Sequence, residues 1–430
     1  MTYDEALAYI HSVCWKGSRP GLSRITALLA ALGDPQNDLR FVHIAGTNGK
    51  GSTSAMTESV LRAAGYRTGL FTSPFIRHFN ERIAVNGVPI SDEELAAATA
   101  AVKPFAEQME DAPTEFELIT AIGLVHFKRV GCDVVVLETG MGGRLDSTNI
   151  IRDPLVSVIT GIAMDHTAFL GDTVEAIAAE KAGIVKAGAP VVWGGDDPVA
   201  RRVIEARAME LGAPFIAAQD TPAQNVCCDL SGTVLDWGTH KGVRIPLLGL
   251  YQPQNLATVL AVLDALRVRG LAISERAERE GLAAVRWRGR FERLSEHPLI
   301  FSDGAHNPQG IAAAVRSIRH YFKGARVLLF SGVMADKDYT DMIRDLASVA
   351  QEVFTVTPDN PRALAAADYA EAFRAAGVTA TAFDTVGAGV AHAVARAKET
   401  GLPLVSLGSL YLYCEFVGAL EEQGIILPEA

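Results

Sequence analysis

An apolar stretch, a glycine-rich turn, a lysine and a hydroxyl follow one another between residues 41 and 52, and this order constrains the fold more than any other feature of the chain. Phe41–Ala45 has the composition of a buried strand, and a helix is predicted from Ser52 to Ala64. The turn contains Gly46, Thr47, Asn48, Gly49, Lys50, Gly51 and Ser52. Backbone N–H groups in such a turn bind phosphate oxygens, a lysine adds positive charge, and a hydroxyl can reach a nucleotide's magnesium. The sequence therefore predicts a phosphate-binding loop.

This loop differs from the standard P-loop pattern at two positions. Ile44 stands where the first glycine is expected, and Gly51 follows Lys50 where serine or threonine is usual. Strand, turn and helix nevertheless come in the order that phosphate binding requires. A strand-to-helix turn without a ligand is the alternative interpretation.

Short apolar runs separated by helical segments indicate the fold class. After the first strand they occur at Arg67–Phe71, Asp133–Leu137, Leu155–Thr160 and Pro190–Trp193. Runs without polar alternation are typical of parallel strands covered on both faces. We therefore predict an α/β protein with a P-loop-containing, mostly parallel, doubly wound N-terminal domain. A second α/β series starts at Leu299, and 430 residues exceed what one core usually serves. The predicted domains are residues 1–286 and 287–430.

Composition excludes several function classes. The formal net charge of −11 argues against binding to nucleic acid or to an anionic membrane. No apolar run approaches the length of a membrane span, and the N-terminus has no secretory signal pattern. The five cysteines are scattered without metal-ligand spacing, which is typical of reduced thiols. The predicted location is the cytoplasm.

Polar residues follow three of the predicted strands and form a candidate cation site. Ser73 follows the second strand, Glu138 closes the next, and His166 follows the one after that. Strand C-termini meet at one edge of an open α/β sheet, where ligands bind. A carboxylate past a strand beside the phosphate loop is the usual magnesium ligand, and hydroxyl and imidazole groups are acceptable additions. A structural role is the alternative interpretation for each of these residues alone.

Two arginines and an aspartate are further candidates. Arg82 lies in the loop after the second strand and could pair with a carboxylate, although a surface salt bridge is the alternative. Arg290 and Asp303 flank the predicted domain boundary and suit a nucleotide's phosphate and ribose. Asn307-Pro308 near them is also an ordinary helix start. Lys181, on a later helix, has no feature that separates it from a solvated surface charge.

Several blocks together resemble the folylpolyglutamate synthase and dihydrofolate synthase family, which is related to the Mur ligases of cell-wall synthesis. Besides the phosphate loop, the blocks are Thr72-Ser73-Pro74, Glu81-Arg82-Ile83, Gly142-Gly143-Arg144-Leu145-Asp146-Ser147-Thr148-Asn149, Asp165-His166, Leu170-Gly171, Glu180-Lys181-Ala182-Gly183-Ile184, Trp287-Arg288-Gly289-Arg290-Phe291-Glu292, Asp303-Gly304-Ala305-His306-Asn307-Pro308, Asp336-Lys337-Asp338 and Gly408-Ser409-Leu410-Tyr411. They run in the family's order over nearly the whole chain.

The resemblance implies a smaller Rossmann-like α/β C-terminal domain and a set of site residues. Catalysis would rest on Lys50, Glu138, His166 and Lys181, the last as a carbamylated lysine. The ATP-binding residues would be Gly46, Thr47, Asn48, Gly49, Lys50, Gly51, Ser52, Asn255, Arg290, Asp303 and His306. Magnesium would be held by Ser52, Ser73, Glu138, His166 and Lys181. The pterin-bearing substrate would contact Gly21, Leu22, Arg82, Phe116, Glu117, Leu145 and Asp146.

Two positions depart from the family pattern. Phe75 stands where many members have histidine, and Tyr251 precedes Gln252 where histidine is usual. Neither residue belongs to the predicted chemistry, but both bear on contacts to the folate and the adenine.

The function that the resemblance implies is ATP-dependent addition of L-glutamate to a reduced folate or to dihydropteroate, with Mg²⁺ as cofactor, by a monomer. A phosphoryl group from ATP would convert the acceptor carboxylate into an acyl phosphate, which the glutamate amine attacks. A Mur-type ligase acting on muramyl-peptide nucleotides is one alternative; such ligases typically have serine or threonine after the loop lysine, where this chain has Gly51. A nucleotide-binding switch without ligation chemistry is the other, and it would not need Glu138, His166 and Lys181 together.

Overall fold

The computed structural model describes residues 1–14, 17–164 and 167–426. Its backbone forms two compact units. The first comprises Met1–Val226, Val234–Ile245 and Pro253–Val285, and the second comprises Cys227–Thr233, Pro246–Gln252 and the chain from Arg286 onward. Two short segments before residue 286 therefore belong to the second unit.

An eight-stranded sheet organises the first unit. Its strands are β1 (Phe41–Ala45), β2 (Thr68–Phe71), β3 (Ile83–Val85), β4 (Val88–Pro89), β5 (Val134–Glu138), β6 (Val156–Ile159), β7 (Val191–Trp193) and β8 (Phe215–Ala217). The order across the sheet is β4-β3-β2-β5-β1-β6-β7-β8. In the part of this order that runs β2-β5-β1-β6-β7-β8, every pair of neighbouring strands is parallel. The strands β3 and β4 extend the sheet beyond β2 by antiparallel pairing. The prediction of a mostly parallel sheet is confirmed, with β1 placed between β5 and β6.

Helices connect these strands, and their starts follow ordinary capping chemistry. They are α1 (Tyr3–His11), α2 (Ser23–Ala31), α3 (Lys50–Ala63), α4 (Asp92–Ala106), α5 (Glu115–Arg129), α6 (Thr167–Leu170), α7 (Val174–Ala182), α8 (Pro198–Glu210), α9 (Gln252–Val268) and α10 (Glu275–Ala284). The Thr114 side chain caps α5 by accepting a hydrogen bond from the Glu117 N–H, and the Glu117 carboxylate accepts one from the Thr114 N–H. Fully buried apolar side chains of α2, α4 and α5 pack in one cluster with Phe41 and Val135, each contributing about 1.5–3 kcal/mol by burial.

Two further sheets complete the described fold. A three-stranded sheet contains β9 (Gln224–Asp229), β10 (Gly232–Trp237) and β11 (His240–Ile245). The second unit has a six-stranded sheet in the order β12-β13-β17-β14-β15-β16, in which β12 is antiparallel and the rest are parallel. Its elements are β12 (Glu292–Glu296), β13 (Leu299–Ser302), α11 (Pro308–Tyr321), β14 (Val327–Ser331), α12 (Tyr339–Ala347), β15 (Ala350–Thr355), α13 (Ala366–Ala375), β16 (Ala380–Ala382), α14 (Val386–Thr400), β17 (Leu404–Leu407) and α15 (Tyr411–Glu422). In the described ranges, no helix has both the length and the apolar character needed to cross a membrane.

A charged cluster joins β11 to two helices of the first unit. His240 is 7% exposed; its Nδ1 lies 2.8 Å from Glu278 Oε1 on α10, and its Nε2 lies 3.2 Å from Asp264 on α9. Arg267 Nη2 donates to Glu278 Oε2 at 2.6 Å. Hydrogen bonds to Asp264 and Glu278 outweigh burial and raise the pKa of His240 to about 9. The imidazole is therefore a cation that two carboxylates hold in place.

This cluster predicts a loss of stability at alkaline pH. The pKa of His240 in the folded protein, about 9, exceeds the ordinary value of 6.5, so the stabilisation is fully present below about pH 6.5 and is lost as the pH rises through about 9. We expect the melting temperature of wild type to exceed that of His240→Gln near pH 6, and the difference to shrink toward pH 9.5. Thermal unfolding across this pH range measures it. His392→Gln, at an exposed position of α14, is the control and should keep the wild-type pH profile; a pH-independent difference for His240→Gln would contradict the prediction.

Candidate active site

The loop after β1 is fastened to the end of β6. The Thr47 and Asn48 N–H groups donate to the Gly161 carbonyl at 2.8 and 3.3 Å. Thr160 Oγ1 donates to the Asn48 carbonyl at 2.8 Å, and Thr47 Oγ1 donates to the Ala163 carbonyl at 3.1 Å. These bonds fix the shape of the loop without using its lysine. The loop then enters α3 at Lys50, two residues earlier than the predicted start of the helix.

Close packing explains why two of the loop positions are glycine. Gly46 has φ +153°, and a Cβ there would lie 1.8 Å from Thr160 Oγ1. Gly49 has φ +91°, and its Cβ would lie 2.5 Å from Asn255 Oδ1. Both conditions exclude side chains. Asn255, predicted to bind ATP, is therefore in contact with the phosphate loop itself.

Two lysines meet at one carbonyl oxygen of this loop. Lys50 Nζ donates to the Gly46 carbonyl at 3.1 Å and lies 3.9 Å from Glu138 Oε1. Lys181 Nζ, at the end of α7, donates to the same Gly46 oxygen at 3.0 Å. Lys181 is 3% exposed, so it is not the solvated surface charge that its sequence context alone indicates. The fold places both ammonium groups at the mouth of the phosphate loop.

Two of the predicted cation ligands follow neighbouring strands, and two others, Ser52 and Lys181, lie on helices. Glu138 is the buried last residue of β5 and pairs in register with Ile44 of β1. Ser73 follows β2, which is the other neighbour of β5, and Ser52 is buried in the first turn of α3. His166 lies outside the described residues. Within the described ranges, no three histidine, cysteine or carboxylate side chains form a ready metal site; the predicted set depends on hydroxyl and lysine groups and on His166.

A pocket lies in front of the phosphate loop. It is lined by Gly46, Thr47, Lys50, Gly140, Met141, Gly142, Leu170 and Lys181. Glycine backbone and two ammonium groups form a wall suited to an anion. Glu138, 3.9 Å from the Lys50 ammonium, adds a carboxylate close to this wall. The donor set therefore fits a phosphate with an accompanying cation.

The glycine-rich loop after β5, residues 140–143, contributes Gly140, Met141 and Gly142 to the lining of the pocket. We call it the glycine loop, and Asp146 fixes its backbone. Asp146 Oδ2 accepts from the Met141 N–H at 2.8 Å, and Oδ1 accepts from the N–H and hydroxyl of Thr148 at 3.0 and 2.6 Å. Burial raises the pKa of Asp146, although these bonds oppose the effect. The loop also contacts α7, because the Arg144 N–H donates a hydrogen bond to the Glu180 carbonyl at 2.7 Å. Asp146, predicted to bind substrate, thus has a structural task here.

Of the other predicted substrate residues, several lie near this loop. The Gly21 N–H donates to the Leu145 carbonyl at 3.4 Å, which brings the Gly21-Leu22 segment to the glycine loop. A Cβ on Gly140 would lie 2.5 Å from the Phe116 ring. Glu117 is buried, and its Oε2 accepts from Thr114 and from Arg24 Nε at 2.9 Å.

Arg24 was not predicted from the sequence. It is 7% exposed and forms a buried ion pair with Glu117. Arg24 lies on α2 between the apolar residues Leu22 and Ile25, and this position is the signal that could have identified it. A buried arginine needs a carboxylate partner.

Arg82 lies between two aromatic rings, one of which is the departure from the family pattern. Its guanidinium carbon is 5.0 Å from the centre of the Phe75 ring and 5.6 Å from that of Phe79. Such cation–π contacts orient a guanidinium. Phe75 therefore has a defined role in holding Arg82.

In the second unit, Asp303 is the centre of a hydrogen-bond cluster that includes the other departure. Tyr251 Oη donates to Asp303 Oδ2 at 2.7 Å, and the Phe291 and Ala305 N–H groups donate to the two carboxylate oxygens at 3.0 and 2.9 Å. Burial raises the pKa of Asp303, and the positive charge of Arg290 opposes this. Arg290 packs on Gly304, where a Cβ would lie 2.7 Å from its Nη1, and His306 Nδ1 is 2.9 Å from the Gly304 carbonyl oxygen. Arg290, Asp303 and His306 are thus brought together.

Two protein-family models match successive parts of this chain, and known proteins have similar sequences over most of its length. The Mur ligase middle domain matches residues 44–263, and the Mur ligase glutamate ligase domain matches residues 289–409. The dihydrofolate synthase/folylpolyglutamate synthase of Bacillus subtilis is 40% identical over 386 residues, covering 86% of this chain and 88% of that protein. The protein of the same name from Escherichia coli is 35% identical over 97% of this chain and 96% of its own length.

Solved structures agree over almost the full length. A Mycobacterium tuberculosis folylpolyglutamate synthase complexed with ADP and AMPPCP superposes with a TM-score of 0.89, at 30% identity, over 99% of this chain and 100% of that one. Escherichia coli FolC in complex with DHPP and ADP superposes with a TM-score of 0.86, at 30% identity, over 99% of both chains.

Proposed function

Because the chain belongs to the dihydrofolate synthase/folylpolyglutamate synthase family of Mur ligases, we propose that residues 46–52, Glu138 and Lys181 form the part of its active site that holds the phosphates of ATP and Mg²⁺. The protein is an ATP-dependent ligase that adds L-glutamate to a folate or pteroate carboxylate through an acyl phosphate. The observation that carries the assignment of the site is the meeting of Lys50 and Lys181 at the Gly46 carbonyl, in a pocket walled by glycine backbone.

This geometry meets the main requirement of the reaction. A carboxylate does not react with an amine at neutral pH because its leaving group is poor, whereas an acyl phosphate releases phosphate. Enzymes of this kind act mainly by positioning the reactants and stabilising charge on the moving phosphoryl group. Lys50 is placed to supply that charge, and the backbone of the loop holds it within 3.1 Å of the Gly46 oxygen.

Mg²⁺ is the proposed cofactor, and it would offset the negative charge of the ATP phosphates. Glu138 and the hydroxyls of Ser52 and Ser73 are hard oxygen donors of the type it prefers. Glu138 and Ser73 follow neighbouring strands, β5 and β2. We propose that His166 and a modified Lys181 complete the set.

We propose that the remaining predicted residues contact either the other parts of ATP or the acceptor substrate. Arg290, Asp303 and His306 form one cluster in the second unit, and Asn255 contacts the phosphate loop. We propose that the acceptor, a reduced folate or dihydropteroate, contacts the Gly21-Leu22 segment, Leu145 and Phe116 beside the glycine loop, with Arg82 and Glu117. We further propose that the enzyme is a cytoplasmic monomer; the described cysteines are all free thiols.

Substrate choice is tested by measuring phosphate release from ATP. We expect release to require both L-glutamate and a pterin carboxylate, with dihydropteroate and tetrahydrofolate assayed separately. Titration calorimetry in the presence of an ATP analogue should show binding of one or both pterins and no binding of a muramyl-peptide nucleotide. The opposite binding pattern would move the chain to the cell-wall branch of the Mur ligases, and release without either co-substrate would favour a nucleotide switch.

A further inference from the structure

A chain of buried hydrogen bonds runs from β1 to the far wall of the pocket. It starts at His43, two strand positions before the last residue of β1, and passes through Thr148 and Asp146 to the Met141 N–H. His43 Nε2 lies 2.9 Å from Thr148 Oγ1, and His43 and Thr148 are both fully buried. Only Met141, at the far end, lines the pocket.

The direction of each bond follows from the groups involved. Asp146 Oδ2 accepts a hydrogen bond from the Met141 N–H group, and Oδ1 accepts from both donors of Thr148, so both of its oxygens act as acceptors. The single hydroxyl proton of Thr148 therefore points to Asp146. Thr148 Oγ1 must then accept its other bond, and the donor is the Nε2–H of His43.

A buried histidine at position 43 destabilises the fold, which we take as a sign that its hydrogen bond to Thr148 has a function. Burial is the main reason why the pKa of His43 falls to about 3, with the charge of Lys186 adding to the effect, so the ring is neutral and carries one proton. With that proton on Nε2, Nδ1 is an acceptor, and it has no hydrogen-bond partner among the described residues. A buried unsatisfied acceptor destabilises a fold. An apolar side chain would avoid this, as its neighbours Val42 and Ile44 do.

The Met141 peptide, which donates the last hydrogen bond of this chain, lies in a loop that close packing confines. A Cβ on Gly140 would collide with the Phe116 ring at 2.5 Å, and one on Gly143 would lie 2.8 Å from the Glu180 carbonyl oxygen. Packing thus confines the loop, and the bonds to Asp146 determine its orientation. Losing the Thr148 hydroxyl would weaken that control without touching a pocket-lining atom.

We propose that His43 and Thr148 are positioning residues for nucleotide binding, which act through Asp146 to fix the Gly140–Gly142 wall against the phosphate loop. The inference rests on the proposed role of this pocket in holding the ATP phosphates. Neither residue lines the pocket, so an effect on nucleotide affinity has to pass through the Asp146 carboxylate.

The test compares two substitutions at Thr148. Thr148→Val keeps the shape and removes the hydroxyl, whereas Thr148→Ser keeps the hydroxyl. We expect Thr148→Val to weaken binding of AMPPCP with Mg²⁺ by about 5- to 10-fold, the size of one lost hydrogen bond, and Thr148→Ser to stay within about 2-fold of wild type. Titration calorimetry well below the melting temperature measures both. If Thr148→Val does not fold, Thr148→Ala removes the same hydroxyl without adding bulk.

The matched control is Thr99→Val on α4. Thr99 is fully buried, and its hydroxyl has no partner among the described residues, so the same chemical change breaks no hydrogen bond and should leave AMPPCP affinity unchanged. Unaltered affinity in Thr148→Val, even with a lower melting temperature, would overturn the proposal, as would a Thr148→Ser variant as weak as Thr148→Val. Absence of AMPPCP binding in wild type would instead refute the nucleotide site, and binding without pterin-dependent turnover would refute only the proposed substrate.

Discussion

Replacing Lys50 with alanine is expected to reduce turnover by about 10³-fold or more at saturating ATP, because stabilisers of phosphoryl charge contribute on this scale. Lys50 Nζ is held by the Gly46 carbonyl at 3.1 Å and by the Thr47 carbonyl at 3.4 Å, and lies 3.9 Å from Glu138. The ammonium is therefore fixed at the mouth of the phosphate loop before any substrate arrives. The measurement is kcat from phosphate release with saturating pterin and glutamate.

One control variant and one second variant of the site distinguish this effect from a general loss of folding. Lys103→Ala removes a lysine from the surface of α4, where it pairs with Glu107, and should keep wild-type turnover. Glu138→Gln removes the charge of the proposed cation ligand and should approach the loss seen for Lys50→Ala while the melting temperature stays close to that of wild type. Near wild-type turnover in Lys50→Ala would mean that the nucleotide site has been assigned to the wrong loop.

Lys181 is expected to carry a carbamate in the active enzyme, and Lys181→Ala is expected to be nearly inactive. An unmodified Lys181 and Lys50 direct two positive charges at one Gly46 oxygen, and such charges repel each other. The ammonium first loses a proton, and the neutral amine then reacts with carbon dioxide to form an N–C bond with release of a second proton. The resulting carbamate replaces the positive charge at this buried position with a negative one and supplies two hard oxygens suited to Mg²⁺. The modification and the binding of magnesium should therefore be coupled. Carbon-13 NMR with labelled bicarbonate, with and without Mg²⁺ and AMPPCP, detects the carbamate directly.

Chemical rescue provides the internal control for this prediction. A short carboxylic acid such as acetate should restore part of the activity of Lys181→Ala, because it can occupy the space of the missing carbamate. The same acid should not restore Lys50→Ala, where the missing group is a cation. Crystallographic density that ends in a bare ammonium at Lys181, with magnesium and nucleotide bound near neutral pH, would contradict the carbamate.

The sequence was sufficient to predict those features that depend on local pattern. Apolar runs identified β1, β5 and β6, and the glycine-rich turn identified the phosphate loop, because strand burial and backbone freedom are properties of a few adjacent residues. The short strands β3, β4 and β8 have three, two and three residues and were missed, although β7, which also has three residues, was predicted. A run this short is at the limit of what a local pattern can identify. The start of α3 was placed two residues late because Lys50 stands between Gly49 and Gly51, and glycine is a weak helix former.

Features that depend on tertiary contacts could not be predicted from the residues alone. The burial of Lys181 follows from the packing of the end of α7 against the phosphate loop, where Lys181 Nζ donates to the Gly46 carbonyl, and only the family resemblance indicated a role for it. Likewise, nothing in the local pattern around His43 or His240 shows that one is neutral and the other a cation. The difference arises because burial, with a smaller contribution from the charge of Lys186, lowers the pKa of His43, whereas hydrogen bonds to Asp264 and Glu278 raise that of His240. The groups that surround each ring are distant from it in sequence.

The central position of β1 also has a consequence for how the protein is made. Phe41 pairs with Val135 and Val42 pairs with Val156, so both partners of this strand are synthesised long after it. Translation at about 5–20 residues per second separates Val42 from Val156 by roughly 5–25 s. Until β5 has been made β1 has two open edges, and until β6 has been made it still has one. Throughout that interval the phosphate loop lacks Thr160 and Gly161, which fasten it. Exposed apolar edges of this kind are where nascent chains aggregate, so the ribosome-bound chain is expected to need protection until β6 has emerged.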